Sequence, residues 1–479
     1  MTERALPIVD QAPAAGACCE ACAAESIRAR SAHVAAVSER PATTALADLV
    51  VLDPDARRSR SRAADRRITV AGLVVSAAFL AAAVAAMTLP EPARRGLWLP
   101  VHLGLAGAAG TAVASVLPFF VATLSVAPPM GRIVRGGAVA LIASGALTAS
   151  LGVVGARPSV ALAGALSYLA GLVAVSVAAL WPLRGAFGPR RPVVLAAYGA
   201  AIVQVAVGVG IVATMIAGYT PVVERWSLLK PAHAWLNVFG FLSVIMAATL
   251  VHLAPTVAGT RIVPRRSALV ALTGLVAGPP MIALGLALGD DVVARIGALA
   301  ELLGAIGLVL HALAVRRGRG AWTTDPGWHR VTSWSLLVAP AWFLVAVALA
   351  AGRILWLGAV PAAWSLEVIA APLAVGWVVQ GLIGAWSQLL PAIGPGGMAA
   401  HARQRTNLGR AATGRLVALN LGVALVMIGG IIDWTAPVVV GLVLGGVTIM
   451  ASLGIFVVAA RTDDADGRPG LPVPARGGG

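Results

Sequence analysis

Two histidines lie inside apolar runs in which polar side chains are rare. His102 occurs in PVHLGLAG and His233 in AHAWLNVFGFL, where Asn237 follows four residues later and therefore shares its helical face. Imidazole nitrogens bind iron, copper and zinc, and an ionisable residue within a membrane helix is by default a functional candidate. We therefore predict a metal or cofactor site at His102, His233 and Asn237. The alternative is that each imidazole only binds a nearby carbonyl or interfacial water.

A second group of candidates lies towards the opposite ends of these runs. His252 and His311 fit a second ligand pair, a proton relay or quinone-headgroup site, or ordinary interfacial residues. Before the first apolar run, Cys18, Cys19 and Cys22 form the motif CCEAC. Three thiols so close together suit Cu(I), zinc or a redox sensor, although a structural zinc site needs a fourth ligand.

Glu301 is the one carboxylate well inside an apolar run. Arg295 precedes it by six residues, which places the two side chains about 120° apart around a helix, so they are not expected to pair. A carboxylate in the membrane interior is costly. We predict that Glu301 is protonated, bonded to another helix, or part of a proton path.

Several common chemistries lack their residues in this chain. There is no glycine-rich phosphate loop with a lysine, no H-E-x-x-H pair and no nucleophile elbow. These absences argue against ATP-driven transport and hydrolysis, and no residue is assigned as catalytic.

The composition is that of an integral membrane protein. Hydrophobic residues make up 59% of the chain and charged residues 12%, whereas soluble proteins are about 25% charged. The net charge of +16 comes from arginine, since Lys230 is the only lysine. These arginines fall in short loops, where they orient the protein and contact anionic lipid. A nucleic-acid partner is not implied.

Twelve apolar runs of membrane-spanning length predict an all-α membrane fold. We number them as predicted helices 1 to 12, at residues 68–89, 97–124, 137–156, 159–182, 193–217, 233–255, 268–288, 292–314, 331–351, 367–391, 416–432 and 436–460. They form one transmembrane domain, residues 67–461, between cytoplasmic tails of residues 1–66 and 462–479 that are predicted to be disordered.

The distribution of basic residues predicts the orientation. From Arg57 to Arg461, the segment before predicted helix 1 and the segments after the even-numbered helices contain 23 arginines, against six basic residues in the opposite loops. Both termini are therefore expected in the cytoplasm, with the protein in the plasma membrane. Trp98, Trp226 and Trp235 lie near the outer ends of their helices and fit an interfacial aromatic belt.

Predicted helices 2, 6 and 10 share an ending. Pro118, Pro255 and Pro391 are 137 and 136 residues apart, which predicts three pseudo-repeated four-helix units. Gly240 and Gly376 each lie fifteen residues before their proline, whereas Leu103 occupies that place in helix 2, followed by Gly104. The alternative is coincidence, because proline is common at the ends of membrane helices.

Together, the twelve helices, the threefold period and the histidines of helices 2 and 6 resemble the catalytic subunit of haem-copper oxidases. They resemble more closely its degenerate relatives, such as the NnrS family of haem- and copper-containing membrane proteins linked to nitric oxide stress. The likeness in sequence is carried by PVHLGLAG, by AHAWLNVFGFL and by TLVHLAPT.

This resemblance implies a haem ligand at His102 and a metal ligand at His233. The oxidases also need a histidine pair in helix 7 and two histidines in helix 10, and neither predicted helix contains one. A complete oxygen-reducing centre therefore cannot be assembled, and an oxidase is not predicted.

The leading hypothesis is a polytopic membrane protein with haem, alone or with copper, that acts in electron transfer or nitrogen-oxide handling. Its expected partners are the lipid bilayer and a redox protein or quinol. One alternative is a cofactor-free secondary transporter, whose polar pathway would include Glu301 and Gln204. The other is an accessory subunit of a copper redox enzyme. The sequence does not decide whether the protein is an enzyme.

Overall fold

The structure, a computed structural model, describes residues 54–125, 127–185, 192–262, 265–319, 327–394 and 396–462. These residues form helices joined by short connections, with no strand among them. The chain divides into two units, Met1–Ala63 and Ala64–Gly479. In the first unit the described residues begin at Pro54 and are helical, so most of the predicted tail of residues 1–66 lies outside the described ranges.

Twelve segments are long and apolar enough to cross a membrane, which confirms the predicted class of a multi-pass, all-α membrane protein. In chain order they are α1 (Arg67–Ala86), α2 (Glu91–Ala122), α3 (Arg132–Val154), α4 (Pro158–Arg184), α5 (Pro192–Ile216), α6 (Trp226–Val257), α7 (Arg266–Leu288), α8 (Asp291–Arg317), α9 (Trp328–Leu357), α10 (Pro361–Ile393), α11 (Ala412–Ile431) and α12 (Thr435–Arg461).

Most boundaries agree with the apolar runs to within a few residues, and α6 and α10 are the main differences. Segment α6 begins at Trp226 rather than at residue 233, and α10 begins at Pro361 rather than at residue 367. In α6 the α-helix includes the seven residues from Trp226 to Ala232, whereas in α10 a short 3-10 turn, Pro361–Ala363, precedes the α-helix that begins at Leu366. His233 therefore lies about two turns inside α6, and not at its start as predicted.

Three helices form the interior of the bundle. Within the apolar 18-residue stretch of each span, the share of residues buried is 78% in α2 and 67% in α6 and α10, but at most 50% in any other span. Each of the three contains a π-helical segment: Leu103–Ala109, Trp235–Ser243 and Ala371–Val379. The π segment of α2 contacts those of both α6 and α10. Pro118, Pro255 and Pro391 all lie inside these helices.

A glycine in each π segment lets the preceding helix approach closely. A β-carbon added at any of these glycines would collide with a large side chain of that helix. The pairs are Gly107 with Phe79, Gly240 with Gln204, and Gly376 with Trp342. In α2 the glycine that contacts the preceding helix is thus Gly107. Counting fifteen residues back from Pro118 had instead pointed to Leu103, followed by Gly104.

Outside these three helices, the most extensive contacts join sequential neighbours: α3 with α4, α7 with α8, and α11 with α12. Glycines line each of these contacts. A β-carbon at Gly297 would lie 2.7 Å from the backbone nitrogen of Ile282, and one at Gly441 would lie 2.7 Å from the carbonyl oxygen of Gly422. Small residues are what membrane helices use to pack closely, because lipid supplies no hydrophobic drive for their association.

We predict that Gly304→Ala destabilises the α7–α8 pair. The new β-carbon would lie 2.7 Å from the backbone nitrogen of Leu275, so the backbones must separate, at a cost of about 1–3 kcal/mol. Gly199→Ala is the matched control, because a β-carbon there meets nothing within 4 Å. The measurement is thermal unfolding of both variants in one detergent. Equal melting temperatures would contradict this account of the helix pair.

Candidate functional site

His102 is held by its own helix. Its Nδ1 lies 2.7 Å from the carbonyl oxygen of Trp98, one turn earlier, and its ring stacks on the Trp98 indole with centroids 4.0 Å apart. A carbonyl oxygen only accepts hydrogen bonds, so we assign the imidazole hydrogen to Nδ1. In that tautomer Nε2 carries a free lone pair, and it has no hydrogen-bond partner among the described residues.

His233 is held by a neighbouring helix instead. Its Nδ1 lies 2.8 Å from the carbonyl oxygen of Gly208 in α5. The side-chain amide of Asn237 lies 2.7 Å from the same nitrogen. Because Nδ1–H already donates to Gly208, only the amide oxygen can face it favourably, so we assign Oδ1 to this contact. The Nε2 atom of His233 then carries the lone pair, and the Asn237 amide group also lies 3.4 Å from this atom.

Asn237 thus lies on the same face as His233, as the four-residue spacing predicts. Its position depends on Gly208, since a β-carbon there would lie 2.5 Å from Asn237. The carbonyl and the absent side chain of Gly208 together fix both His233 and Asn237.

Each of the two histidines lies within two residues of the start of a π segment. His102 directly precedes the π segment of α2, and His233 lies two residues before the π segment of α6. These two segments contact each other. Single-turn π segments occur frequently at functional sites. In α10 the place two residues before the π segment is taken by Ile369, which has no ligating atom and is 1% exposed.

The donor set suits one metal centre with two imidazole ligands. Both rings are half-buried, and both donate Nδ1–H to a backbone carbonyl, the usual arrangement for a histidine that binds metal through Nε2. No group of three or more His, Cys, Asp or Glu residues that could hold a metal occurs within the described ranges. His102 and His233 are therefore the residues of this region that could each supply an imidazole ligand to a metal or cofactor.

Aromatic rings fill the space between α6, α9 and α10. Trp235 stacks on Phe239 at 4.2 Å, Phe239 contacts Phe343 at 6.2 Å, and Phe343 contacts Trp377 at 4.8 Å between centroids. All four side chains are at most 1% exposed. The indole of Trp377 donates to Ser243 Oγ at 3.1 Å. A macrocycle cannot also occupy this region.

The prediction that Trp235 belongs to an interfacial belt was wrong, because Trp235 is a core residue. Its place near the end of the apolar run suggested the membrane surface, but α6 extends two further turns beyond the run. One feature of the sequence agrees with this packing: Trp235 and Phe239 are four residues apart and so share a face of the helix.

The other predicted ligands do not join this site. His311 is 2% exposed and lies next to the backbone of Val251, so it is close to His252 but at the far end of α6 from His233. Cys18, Cys19 and Cys22 fall outside the described residues, and the structure does not test them.

Gln204 compensates for an interruption in α7. Pro279 and Pro280 have no N–H group, so the carbonyls of Leu275 and Val276 lose their helical donors. The side-chain amide of Gln204 donates to the Val276 carbonyl at 3.3 Å. Replacing backbone donors with side chains of neighbouring helices is how membrane proteins tolerate proline. Glu301 also contacts α7, beside Gly278.

We predict that Gln204→Leu costs about 1 kcal/mol of stability, because it leaves the Val276 carbonyl without a donor in an apolar region. Thr214→Val is the control, since Thr214 lies exposed on the same helix and bonds only its own backbone at 3.0 Å. Unfolding of both variants by heat or denaturing detergent gives the comparison. An equal loss of stability in Gln204→Leu and Thr214→Val would show that the bond from Gln204 to the Val276 carbonyl does not stabilise the protein.

Comparisons with known proteins assign no family. No protein-family model matches the chain, and no curated protein matches it. The functional interpretation therefore depends on the geometry of His102, His233 and their surroundings.

Proposed function

We propose that the chain is a membrane haem protein in which His102 and His233 hold one iron porphyrin through their Nε2 atoms. The observation that carries this proposal is the shared geometry of the two rings. Each directs Nδ1–H to a backbone carbonyl, which leaves the lone pair on Nε2, and each lies just before a π segment of contacting helices.

Electron transfer is the activity that suits such a site. A haem with imidazoles at both axial positions supplies one-electron transfer, because neither position stays open for a substrate. The protein would exchange electrons with a redox protein or quinol, and its link to nitrogen-oxide chemistry would run through such a partner. Copper at His233 is the variant of this proposal in which the two imidazoles hold different metals.

Neighbouring residues orient the two imidazole rings. The Trp98 carbonyl and indole fix the His102 ring, and the Gly208 carbonyl with Asn237 fixes the His233 ring. Hydrogen bonds of this kind also raise the basicity of Nε2, which strengthens its bond to a metal.

We further propose that the chain is a degenerate relative of haem-copper oxidases, built from three four-helix units with both termini in the cytoplasm and located in the plasma membrane. The three buried π helices with their prolines, and the three close helix pairs, support the repeat. The lack of a ligating residue at Ile369 and the aromatic packing beside it support the loss of the oxidase centre.

A secondary transporter is the second candidate. It is favoured by three polar side chains in the interior: Gln204, Glu301 and Gln380 are at most 6% exposed, and each has an atom without a hydrogen-bond partner among the described residues. Such groups can line a path for a polar substrate. Substrate uptake into vesicles that persists in the double variant His102→Ala, His233→Ala would favour this candidate.

The haem proposal predicts that protein purified from haem-supplied cells shows a Soret band and contains iron equal to its chain concentration. His102→Ala and His233→Ala should each lose most of this absorbance, because each removes an axial ligand. His401→Ala is the control, since His401 lies in the separate helix Met398–Leu408. Wild-type protein without haem, or haem retained by both ligand variants, would contradict the proposal.

Asn237→Ala should keep the haem but release it more readily. Removing the partner of a ligating histidine typically lowers metal affinity about 10–100-fold. Transfer of haem to an excess of apomyoglobin measures the release rate. Thr249→Val serves as control, because the Thr249 hydroxyl contacts Tyr198 at 3.0 Å, twelve residues further along α6. An unchanged release rate in Asn237→Ala would remove Asn237 from the site.

A further inference from the structure

The helix pair α7–α8 encloses a carboxyl group that the proposed haem site does not use. Glu301 is 0% exposed, and neither of its oxygens has a hydrogen-bond partner among the described residues. An isolated ionised carboxylate in such surroundings is very costly. Glu301 must therefore carry its proton in this conformation.

No charge faces Glu301 from the elements around it. Segment α7 has no titratable residue between Ser267 and Leu288. In α9 the titratable residues are His329, Arg330 and Arg353, near its two ends, and the adjoining half of α6 has only His252. On α8 itself, Arg295 is paired with Asp291 at 3.7 Å.

The carboxyl group rests in a space that only glycine leaves open. A β-carbon added at Gly278 in α7 would lie 2.6 Å from Glu301 Oε2. Pro279 and Pro280 follow at once, so this is also the part of α7 where carbonyls lack their helical donors. Gln204 bonds one of them, the Val276 carbonyl, and keeps its own Oε1 without a partner. Oxygen acceptors therefore concentrate around an otherwise apolar helix.

Glu301 also lies deep in the membrane region. It is ten residues from Asp291, the first residue of α8, and so about 15 Å from that end of the helix. This is about half of the 30 Å hydrocarbon thickness of a bilayer.

We propose that Glu301 is an exchangeable proton-binding site: the carboxyl is neutral while enclosed between α7 and α8, releases H⁺ to water and becomes a carboxylate when this contact opens, and takes H⁺ up again when it closes. The site does not depend on haem. A proton fits better than a metal cation, because a hard cation such as Ca²⁺ takes about six to eight oxygen ligands. Segment α7 also stays helical from Arg266 to Leu288, so its carbonyls are not turned towards a central ion.

The test is infrared difference spectroscopy of the full chain in liposomes, recorded between acid and alkaline pH, in H₂O and in D₂O. Wild-type protein should show a protonated carboxyl band that shifts in D₂O and disappears at alkaline pH. Glu301→Gln should lose this band, since the amide is nearly the same size but does not titrate. Glu224→Gln is the matched control and should keep it, because Glu224 is exposed.

Three outcomes would overturn the proposal. The band could remain in Glu301→Gln, it could fail to shift or titrate in wild type, or it could disappear when Na⁺ replaces choline at fixed pH. The last result would identify a cation site instead.

A second measurement needs no variant and so does not depend on the folding of Glu301→Gln. The apolar reagent dicyclohexylcarbodiimide modifies protonated carboxyl groups within membranes, and mass spectrometry of wild-type peptides locates the adduct. Modification should occur at Glu301 at neutral pH and be lost at alkaline pH. Absence of the adduct at neutral pH would contradict a proton that exchanges with the surroundings.

Discussion

Backbone hydrogen bonding is the constraint on which this structure depends. Within a bilayer no water is present to replace a missing helical partner, so an interrupted helix must be buried in protein and repaired there. The three helices with π segments and internal prolines are the three most buried ones. Interruption and burial go together because only the interior of the bundle offers groups that can complete the backbone.

Backbone carbonyls also position polar side chains of the interior. The Gly208 carbonyl accepts from His233, and the Val276 carbonyl accepts from Gln204 after Pro280 has removed its helical donor. Polar side chains thus appear beside specific backbone groups, and not at random in the apolar core. Glu301 beside Gly278 follows the same rule, since glycine and proline residues of α7 make both the space and the polarity.

The three most buried helices, α2, α6 and α10, have different side chains before their π segments. His102 and His233 precede the π segments of α2 and α6, whereas Ile369 has the corresponding place in α10. Next to α10, Phe343 and Trp377 fill the space with aromatic rings. If the three helices arose from one ancestral unit, α10 has an apolar side chain where the other two have histidines, and aromatic rings pack beside it.

The sequence predicted the twelve helices well, because hydropathy over about 20 residues is a strong signal. It also identified the His233–Asn237 contact, since both residues lie on one helix and the spacing is local. It could not identify Gly107 as the partner of Phe79, nor the burial of Trp235, because these depend on which helices become neighbours. The sequence also could not predict that His233 bonds the Gly208 carbonyl, because every residue has a backbone carbonyl and the residue type does not show which one is used.

The two imidazoles differ in what holds them. His102 takes its partner from Trp98, in its own helix, whereas His233 takes its partner from Gly208, in α5. A rigid-body shift of α5 would therefore rotate one ring and leave the other undisturbed. A change in lipid thickness or a bound partner that moves α5 would therefore act on the orientation of His233 alone.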